Sequence, residues 1–462
     1  MSADAATSTM GIMPSHPTPV PQPLPSLHSR RYRQLLLLAA AVGVPVSAVA
    51  FAYLQLVHHM QDWVYHDLPS ALGLDPVPLW WPVPPLVLAG LIVGLCVRYL
   101  PGKGGDSPAD GFHAGPPPRP REIPGTALAA LASLGLGAVV GPEAPLIALG
   151  AGLAAWAPSL VRRGDDEQAV AVLGAAGAFA AISLLLGSPL LGAFLLMEAS
   201  ATGGAALGFM LVPGLLASGV GALVIVGLGS VTGLGTASLA IPGLPDFVRP
   251  DVPQLGWAVV IGLAAPFLGI GVRRLSRLVR TRGAGRPVLA PVVVAFLVGL
   301  VAMAYGAVSD RSPEAVLFSG ETALGPLLVH ASDYSVGALV LLVVFKSLTY
   351  ALSLGVFRGG PVFPGMFIGA AGGIALSHAP GLQTVAGAAM GIGAMCVVML
   401  RMPLVSVLLA TLLLSQGLSV MPLVIVSVVV AHVVMSFLTR GDDAPQEPFP
   451  TGRPPGAAAG SG

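Results

Sequence analysis

One carboxylate, Glu143, lies alone in a long apolar part of the sequence. It is the only charged side chain between Glu122 and Arg162, and it stands between two prolines in the stretch GPEAP. Proline is favoured at the first position of a helix, because the N–H that it lacks has no helical partner there. The free N–H groups and the dipole of a helix N-terminus attract anions. The pattern therefore predicts that Glu143 is an anion held at a helix N-terminus.

A second stretch repeats this pattern in the other half of the chain. Gly360-Pro361-x-x-Pro364, followed after four residues by Gly369-Ala370, matches Gly141-Pro142-x-x-Pro145, followed after four residues by Gly150-Ala151. Two such helix N-termini that meet at one point form an anion site without a buried cation. The predicted anion-binding residues of the two stretches are Gly141, Ala144, Val362 and Phe363.

The elements that carry these stretches are predicted to be membrane helices. Only 9% of the residues are charged and 55% are hydrophobic, whereas a soluble domain has roughly 25% charged residues. Apolar runs of membrane-spanning length are Leu35–Leu56, Val83–Tyr99, Val288–Tyr305, Ala338–Val356 and Met421–Leu438. Shorter apolar runs are broken by Gly or Pro, which a membrane tolerates where they pack inside protein or line a cavity. The fold class is an all-α polytopic membrane protein.

The membrane setting decides between two interpretations of Glu143. A carboxylate in the first turn of a helix stabilises it by about 0.3–1 kcal/mol, and this would be its whole role in a soluble protein. Inside a membrane an ionisable residue costs several kcal/mol and is functional by default. We therefore interpret Glu143 as a gate, which occupies the anion site until a proton or a competing ion displaces it.

The order of the repeated segments predicts a duplicated fold. "SPLLGAFLL" from Ser188 is echoed by "MPLVSVLL" from Met402, in the same order as the two Gly-Pro stretches. We expect a transmembrane domain over residues 32–439, with halves at about 32–235 and 250–439 joined by a proline-rich connection. Many transporters are built this way, with interrupted helices that meet at the interface of the repeats. Residues 1–31 and 440–462 are expected to be disordered tails, the second too short for a regulatory domain.

Charge and cysteine content limit the function classes. Arg30, Arg31 and Arg33 precede the first apolar run, so we expect a cell-membrane protein with both termini in the cytoplasm. A net charge of +1 indicates no nucleic-acid partner, and two cysteines in apolar segments indicate neither a disulfide nor a metal site. We expect no cofactor and no enzymatic activity, because no nucleophile–base pair has a recognised spacing.

These segments resemble those of the CLC family of chloride channels and proton-coupled transporters. "VVGPEAPLIALGA" is similar to the family's G-[KR]-E-G-P segment, with Glu143 at its gating glutamate. "RGGPVFPGMFIGAAGG" resembles the G-x-F-x-P segment and "GKGGDSPADGF" the G-S-G-I-P segment, while "VLFSGETALGPLL" and "RMPLVSVLL" fit the second half. The resemblance covers about residues 32–439. It implies a divergent bacterial-type member of the family without regulatory C-terminal domains. The fold that it implies is a CLC-like inverted-repeat bundle of many tilted and interrupted helices, in a homodimer that conducts anions selectively through one pore per subunit.

The two Gly-Pro stretches depart from the family pattern. Pro142 replaces an arginine or lysine, and Ala144 replaces a glycine. Pro361 stands where the family offers a free N–H, and Val362 replaces a phenylalanine. Since proline has no N–H, we expect fewer backbone donors at the anion site.

The inner side of the site also departs from the pattern. Alignment on Pro108 replaces the family's pore serine with Gly105. Ser107, two residues later, is either its substitute or an N-terminal cap of the next helix. No tyrosine follows Tyr350, although the family has a central tyrosine after its last long helix. We expect an altered inner side and therefore an altered anion preference.

Proton coupling depends on Glu198. The resemblance matches Glu198 to the first of two adjacent family glutamates and Ala199 to the second, which implies that the internal proton-transfer carboxylate is missing. Glu198 is either a replacement relay or a hydrated glutamate at a helix end. We predict passive or loosely proton-coupled chloride transport. The alternatives are a fluoride or other anion/proton antiporter and a secondary transporter of a small organic anion.

Other polar residues have simpler interpretations. Lys346 and Arg401 lie in or beside apolar runs, where long basic side chains reach the membrane interface or pair locally. His432 is expected to pack on a helix face. Glu321 and Asp310 lie in a connection, and we expect both to be solvated.

Overall fold

A computed structural model gives the fold of the chain. It describes residues 29–111, 115–160, 166–199, 204–233, 241, 243–245, 247, 249–414 and 419–439. These residues are helical with connecting turns, and a single β-bridge between Gly141 and Gly360 is the only strand-type pairing among them. The prediction of an all-α fold is confirmed. Residues 1–28 of the predicted tail 1–31, the whole predicted tail 440–462 and most of the predicted connection near 235–250 lie outside the described residues.

The helices are numbered α1 to α16 in chain order. Their bounds are α1 Arg30–Asp62, α2 Leu68–Ala71, α3 Val83–Tyr99, α4 Ile123–Gly135, α5 Glu143–Leu160, α6 Glu167–Leu185, α7 Pro189–Ala199, α8 Gly204–Thr232, α9 Val252–Gly283, α10 Leu289–Ser309, α11 Glu321–Val329, α12 Val336–Val356, α13 Val362–Leu376, α14 Thr384–Leu400, α15 Pro403–Leu413 and α16 Met421–Leu438. A π-helical turn, Trp63–Asp67, joins α1 and α2 into one helix of 42 residues.

Seven helices among the described residues are long and apolar enough to cross a membrane. They are the joined α1–α2 helix and helices α6, α8, α9, α10, α12 and α16. Four of the five predicted apolar runs lie in these helices, and the fifth, Val83–Tyr99, is the 17-residue helix α3. Large apolar side chains such as Leu223 and Phe267 are 75% and 64% exposed. A soluble protein hides most such side chains, so the described surface fits a lipid environment and a multi-pass membrane protein.

The helix packing repeats from one half of the chain to the other. Helix α5 packs on α6 and α6 on α8 in the first half, as α13 packs on α14 and α14 on α16 in the second. The contact between α1 and α8 is likewise matched by the contact between α9 and α16. The pairs α3–α10 and α7–α15 join equivalent helices of the two halves. This is the inverted-repeat bundle that the sequence predicts.

Glycines explain why the repeated sequence includes a small residue nine positions after each Gly-Pro start. A Cβ at Gly150 of α5 would lie 2.4 Å from the carbonyl oxygen of Gly177 in α6. A Cβ at Gly369 of α13 would lie 2.2 Å from the carbonyl oxygen of Gly391 in α14. Small residues let membrane helices approach closely. The equivalent glycines therefore set the same close helix pairing in both halves.

Polar contacts fix the end of the bundle where α1 begins. Helix α1 begins at Arg30, two residues before the predicted start of the domain, and Ser29 Oγ accepts a hydrogen bond from the N–H of Tyr32 at 3.1 Å. Arg31 pairs with Asp166 at 2.5 Å, and Asp166 caps α6 through the N–H of Ala169 at 3.2 Å. Partial burial by itself raises the pKa of Asp166, but these hydrogen bonds outweigh it and hold the pKa below its ordinary value. The starts of α1 and α6 thus lie at one end, called the Arg30 end below.

Candidate functional site

The two Gly-Pro stretches meet in space. The N–H of Gly141 donates to the carbonyl of Gly360 at 2.7 Å, and the N–H of Gly360 donates back to the carbonyl of Gly141 at 2.6 Å. The expected approach of the two helix N-termini is confirmed. Because Gly360 takes the N–H of Gly141, this N–H is not free to bind an anion, contrary to the sequence-based assignment. Gly141 contributes space at the site instead.

Glycine at both positions leaves room for the carboxyl group of Glu143. A Cβ at Gly141 would lie 1.9 Å from Oε2 of Glu143, and a Cβ at Gly360 would lie 2.3 Å from its Cδ. Oε1 of Glu143 accepts a hydrogen bond from the N–H of Val362, the first residue of α13. The carboxylate also interacts with the backbone N–H groups of Phe363 and of Glu143 itself. Glu143 is completely buried, and Oε2 has no hydrogen-bond partner among the described residues.

The contact with Val362 distinguishes Glu143 from a simple helix cap. A capping side chain binds the N–H groups of its own helix, whereas this carboxylate crosses to the helix of the opposite half. It lies where the free N–H groups and the dipole of α13 favour negative charge. The carboxylate of Glu143 therefore lies against the N-terminus of a helix from the opposite half of the chain.

Two serines hold the Gly-Pro stretches in matching ways. The N–H of Val139 donates to Ser353 Oγ of α12 at 3.1 Å, and the N–H of Arg358 donates to Ser133 Oγ of α4 at 3.1 Å. Each N–H belongs to the residue two positions before the bridging glycine, and each serine comes from the other half of the chain. We call this pair of contacts the serine clamp. It fixes the two helix N-termini relative to each other, and sequence reasoning missed it.

Tyr350 of α12 anchors the second stretch. Its hydroxyl donates to the carbonyl of Pro361 at 2.7 Å, and its side chain is completely buried. The sequence analysis noted Tyr350 only as the last tyrosine in the chain. A buried tyrosine hydroxyl normally needs a partner, so its place in an apolar run was the available signal.

A cavity of about 470 Å³ borders the start of both site helices. Residues on its wall include Gly105, Ser107, Thr126, Ala144, Arg358 and Pro361. Of the predicted site residues, it brings together Gly105, Ser107 and Ala144. Val362 and Phe363 lie instead in the buried first turn of α13. The wall includes the turn that follows α3. The joined α1–α2 helix runs away from the Arg30 end, and α3 runs back toward it. The cavity therefore lies toward the Arg30 end.

Glycine at position 105 is required by the backbone. Gly102, Lys103, Gly104 and Gly105 have successive φ values of 73°, 50°, 74° and 89°. At Gly105 ψ is −179°, a conformation essentially reserved for glycine. A Cβ at Gly105 would also lie 2.9 Å from Cγ2 of Thr126. The turn therefore excludes a serine at this position.

Two hydroxyl groups lie on the cavity wall in place of that serine. Ser107 is at the N-cap position of a short 3-10 helix, Pro108–Asp110, but its side chain makes no capping hydrogen bond. The capping interpretation of Ser107 is therefore wrong. Its Oγ is buried without a hydrogen-bond partner among the described residues. Thr126, which sequence reasoning missed, donates through Oγ1 to the carbonyl of Glu122 at 3.1 Å.

Glu198 lies at the start of helix α15. Its carboxylate oxygens accept hydrogen bonds from the N–H groups of Leu404 at 3.1 Å and Val405 at 2.8 Å. Helix α7, which carries Glu198, packs on α15, its equivalent in the other half. A carboxylate at a helix N-terminus is stabilising. These contacts give Glu198 a structural role at the start of α15. Its role as a proton relay stays a prediction.

Lys346 and Asp310 have the surroundings that the sequence predicts. Lys346 is completely buried, and its Nζ donates to the carbonyls of Ala315, Leu317 and Phe318, so it pairs locally as expected. Asp310 is exposed, as expected.

The expectation that Glu321 is solvated is wrong. Glu321 is half-buried, and its carboxylate interacts electrostatically with Glu143. It lies on the wall of a second, smaller cavity of about 10 Å³, which is also bordered by Pro142, Phe318 and the last turns of α1 at His58.

The fold and the site together define a class of protein. It is a multi-pass membrane protein with duplicated halves, whose interrupted helices α5 and α13 meet at a buried carboxylate. Residues 89–436 match the family described as voltage gated chloride channel. The chain belongs to this family, and its function is CLC-type anion transport. The family and the fold are those of transporters or channels.

Relatives and solved structures agree with this placement. A protein of Escherichia fergusonii, provisionally named ion-transport protein YfeO, is 29% identical over 379 residues, which are 79% of this chain and 86% of the relative. A slow cyanobacterial Cl⁻/H⁺ antiporter has a similar fold, with a TM-score of 0.72 and 21% identity over 89% of this chain and 96% of that one. A CLC-type fluoride/proton antiporter gives a TM-score of 0.66 and 21% identity over 87% and 95% of the two chains.

Proposed function

We propose that this protein moves chloride or a similar small anion across the cell membrane, passively or with loose proton coupling, and that Glu143 gates the pore. The observation that carries the proposal is the hydrogen bond from the N–H of Val362 to the Glu143 carboxylate. A carboxylate that occupies the N-terminus of α13 competes with any anion for the same N–H groups. Protonation removes its charge, weakens its attraction to the helix dipole and opens the site to the transported anion.

The anion path continues from this site into the 470 Å³ cavity. The N–H groups of Ala144, Val362 and Phe363 bind the anion once Glu143 has left. Ser107 then offers a hydroxyl on the cavity wall, and Gly105 leaves room for the anion to pass. This path uses backbone and hydroxyl donors, and the half-buried Arg358 adds a positive charge on the cavity wall.

The residues around Glu198 support loose or absent proton coupling. Two N–H groups already bind Glu198. Ala199 beside it has no group that can carry a proton, and no tyrosine follows Tyr350 in the sequence. The alternative in the same class is a fluoride or other anion/proton antiporter in which Glu198 is the internal proton relay.

A second candidate substrate is a small organic anion. The cavity of about 470 Å³ favours it, because this volume is in the range of pockets for small molecules and far exceeds that of a halide. Gly105, with no side chain on the wall, contributes to this space. Efflux of gluconate or acetate at the rate of chloride would favour this candidate.

We further propose a homodimer with one pore per subunit and with both termini in the cytoplasm. Arg30, Arg31 and Arg33 lie at the Arg30 end, and the positive-inside rule assigns that end to the cytoplasm. Exposed apolar side chains on α8 and α16, such as Val226 and Val429, are available for contacts with lipid or a second subunit. Light scattering of the detergent-solubilised protein gives the subunit number.

Ion efflux from reconstituted liposomes tests the proposal. Chloride, fluoride and nitrate are compared while the internal pH is recorded. The wild-type protein is expected to release chloride at a rate that depends on pH. Glu143→Gln mimics the uncharged carboxyl at every pH, so its flux is expected to be independent of pH. Unchanged pH dependence in Glu143→Gln rejects the gating role.

A further inference from the structure

Arg358 lies where the second Gly-Pro stretch borders the large cavity. Its backbone N–H donates to Ser133 Oγ in the serine clamp, two residues before the bridge at Gly360. The residue is half-buried and belongs to the wall of the cavity of about 470 Å³. The clamp therefore fixes Arg358 relative to the start of α13, and its positive charge lies beside the proposed anion path.

The guanidinium group of Arg358 lies against the turn that follows α3. Nη2 donates to the carbonyl of Lys103, and Nη1 donates to the carbonyls of Val356 and Phe357, each at 3.4 Å. A Cβ at Gly104, another wall residue, would lie 3.7 Å from Nε. These three hydrogen bonds are longer than usual for N–H and O. A carboxylate forms shorter and stronger bonds with a guanidinium than a carbonyl does, so it can compete for these N–H groups.

The other polar groups on the described wall differ from Arg358 in exposure or in partners. Arg119 and Asp106 are exposed, and Glu122 accepts a hydrogen bond from the backbone N–H of Arg119 at 2.9 Å. Ser107 Oγ is buried on this wall without a hydrogen-bond partner among the described residues. A hydroxyl can donate one hydrogen bond. The described wall thus combines one half-buried cation with one hydroxyl donor.

We propose that Arg358 makes the large cavity a binding site for small carboxylates, with the Ser107 hydroxyl as a second donor. The inference rests on the proposed function, because the cavity is the proposed path of the anion. A guanidinium presents two parallel N–H groups in one plane, which match the two oxygens of a carboxylate. A halide is a single sphere and cannot use both N–H groups in this way. The cavity therefore prefers a carboxylate to chloride, although both carry one negative charge.

The size and the lining of the cavity suit the rest of such a ligand. Its volume of about 470 Å³ is in the range of pockets that hold small molecules. Apolar residues form another part of the wall, namely Pro117, Pro118, Ile147, Ala148 and Ala151. These side chains can cover the hydrocarbon part of a carboxylate, because apolar surface is favourably removed from water. A halide has no such part.

Calorimetric titration of the purified protein in detergent with acetate tests the inference. Near pH 7 acetate is ionised, and the wild-type protein is expected to bind it more tightly than chloride. Acetamide has a similar shape without the charge and is expected not to bind. Excess chloride is expected to weaken acetate binding, because both anions use the same path. If the wild-type protein binds acetate no better than chloride, the inference is overturned, and this comparison needs no variant.

Substitutions on the cavity wall assign the preference to Arg358. Arg358→Lys keeps the charge but loses the planar pair of N–H groups, so the ratio of acetate affinity to chloride affinity is expected to fall about tenfold. Ser107→Ala leaves Arg358 in place and is expected to weaken acetate binding about threefold. Arg119→Lys makes the matched change at an exposed position of the same wall and is expected to leave the ratio unchanged. An unchanged ratio in Arg358→Lys overturns the inference.

Chloride efflux from liposomes separates this inference from the proposed function. In strongly buffered solution, acetate is expected to slow chloride efflux through the wild-type protein and to slow it less through Arg358→Lys. If Glu143→Gln abolishes the pH dependence of efflux but acetate binding does not depend on Arg358, the inference is wrong and the gate stands. If acetate binds through Arg358 but Glu143→Gln keeps its pH dependence, the carboxylate site stands and the gating role fails.

Discussion

At the residue scale, the departures from the family pattern have compensations close by. Pro361 lacks an N–H, but its carbonyl accepts the hydrogen bond of Tyr350, and the N–H of Val362 binds the Glu143 carboxylate in its place. Gly105 lacks a hydroxyl, but Ser107 and Thr126 place hydroxyl groups on the same cavity wall. Different residues thus supply the donors of the proposed anion path, because N–H and O–H donors can be supplied from several backbone positions.

The turn at Gly105 leads to a prediction at this scale. Gly105→Ser restores the residue type of the family, yet it is expected to destabilise the protein by about 1–3 kcal/mol, because a side chain there requires a strained backbone. Thermal unfolding in detergent measures this loss. Gly105→Ala introduces the same strain without a hydroxyl and is expected to lose a similar amount. A Gly105→Ser protein of wild-type stability would show that the left-handed turn is not required.

At the scale of elements, the site depends on contacts that cross between the two halves. Ser353 of α12 holds the first Gly-Pro stretch, and Ser133 of α4 holds the second. The bridge between Gly141 and Gly360 then locks the stretches together. Helices α5 and α13 could pack on their neighbours without these contacts, but their N-termini would not be held at one point.

The serine clamp gives a prediction with a control on the same helix. Ser353→Ala leaves the buried N–H of Val139 without its acceptor, which costs about 1–3 kcal/mol. We expect a lower unfolding temperature and slower chloride efflux. Ser347→Ala removes another buried serine of α12, one whose Oγ has no hydrogen-bond partner among the described residues, and should change neither. Equal effects of the two substitutions would contradict the clamp.

At the scale of the whole molecule, two cavities approach the segment around Glu143 from different parts of the bundle. The large cavity borders Ala144 and Pro361 toward the Arg30 end, and the small cavity borders Pro142 near the end of α1. In the proposed gating role, the Glu143 carboxylate alternates between binding the N–H groups of α13 and taking up a proton. Tight exchange would also require a proton route toward the Arg30 end, where Glu198 is held by the start of α15.

This arrangement predicts weak coupling. Reconstituted protein under a chloride gradient is expected not to drive protons uphill, because Ala199 cannot carry a proton and the carboxylate of Glu198 is engaged by two N–H groups. A pH-sensitive dye inside the liposomes gives the measurement. Sustained uphill proton movement would contradict the prediction. If Glu198→Gln then abolished that movement and spared chloride flux, Glu198 would be the relay.

The sequence by itself determined the class of fold and the central residue of the site. Membrane helices follow from composition and apolar runs, since a bilayer accepts only long apolar segments. The duplicated Gly-Pro starts predicted both the repeat and the meeting of two helix N-termini, because these features are set by local backbone chemistry. Glu143 was identifiable because a lone carboxylate in such a setting is costly.

Only the tertiary structure decided how the site is completed. Ser133, Ser353 and Tyr350 act on backbone groups of other elements, and no local pattern specifies those partners. Glu321 has the same sequence signature as a solvated loop residue, yet packing half-buries it on the wall of the small cavity that Pro142 also borders. Ser107 has the spacing of a helix cap, yet its hydroxyl lies buried on a cavity wall. Hydrogen bonds and electrostatic interactions act over a few ångströms in space, so they become visible only when the fold brings distant parts of the chain together.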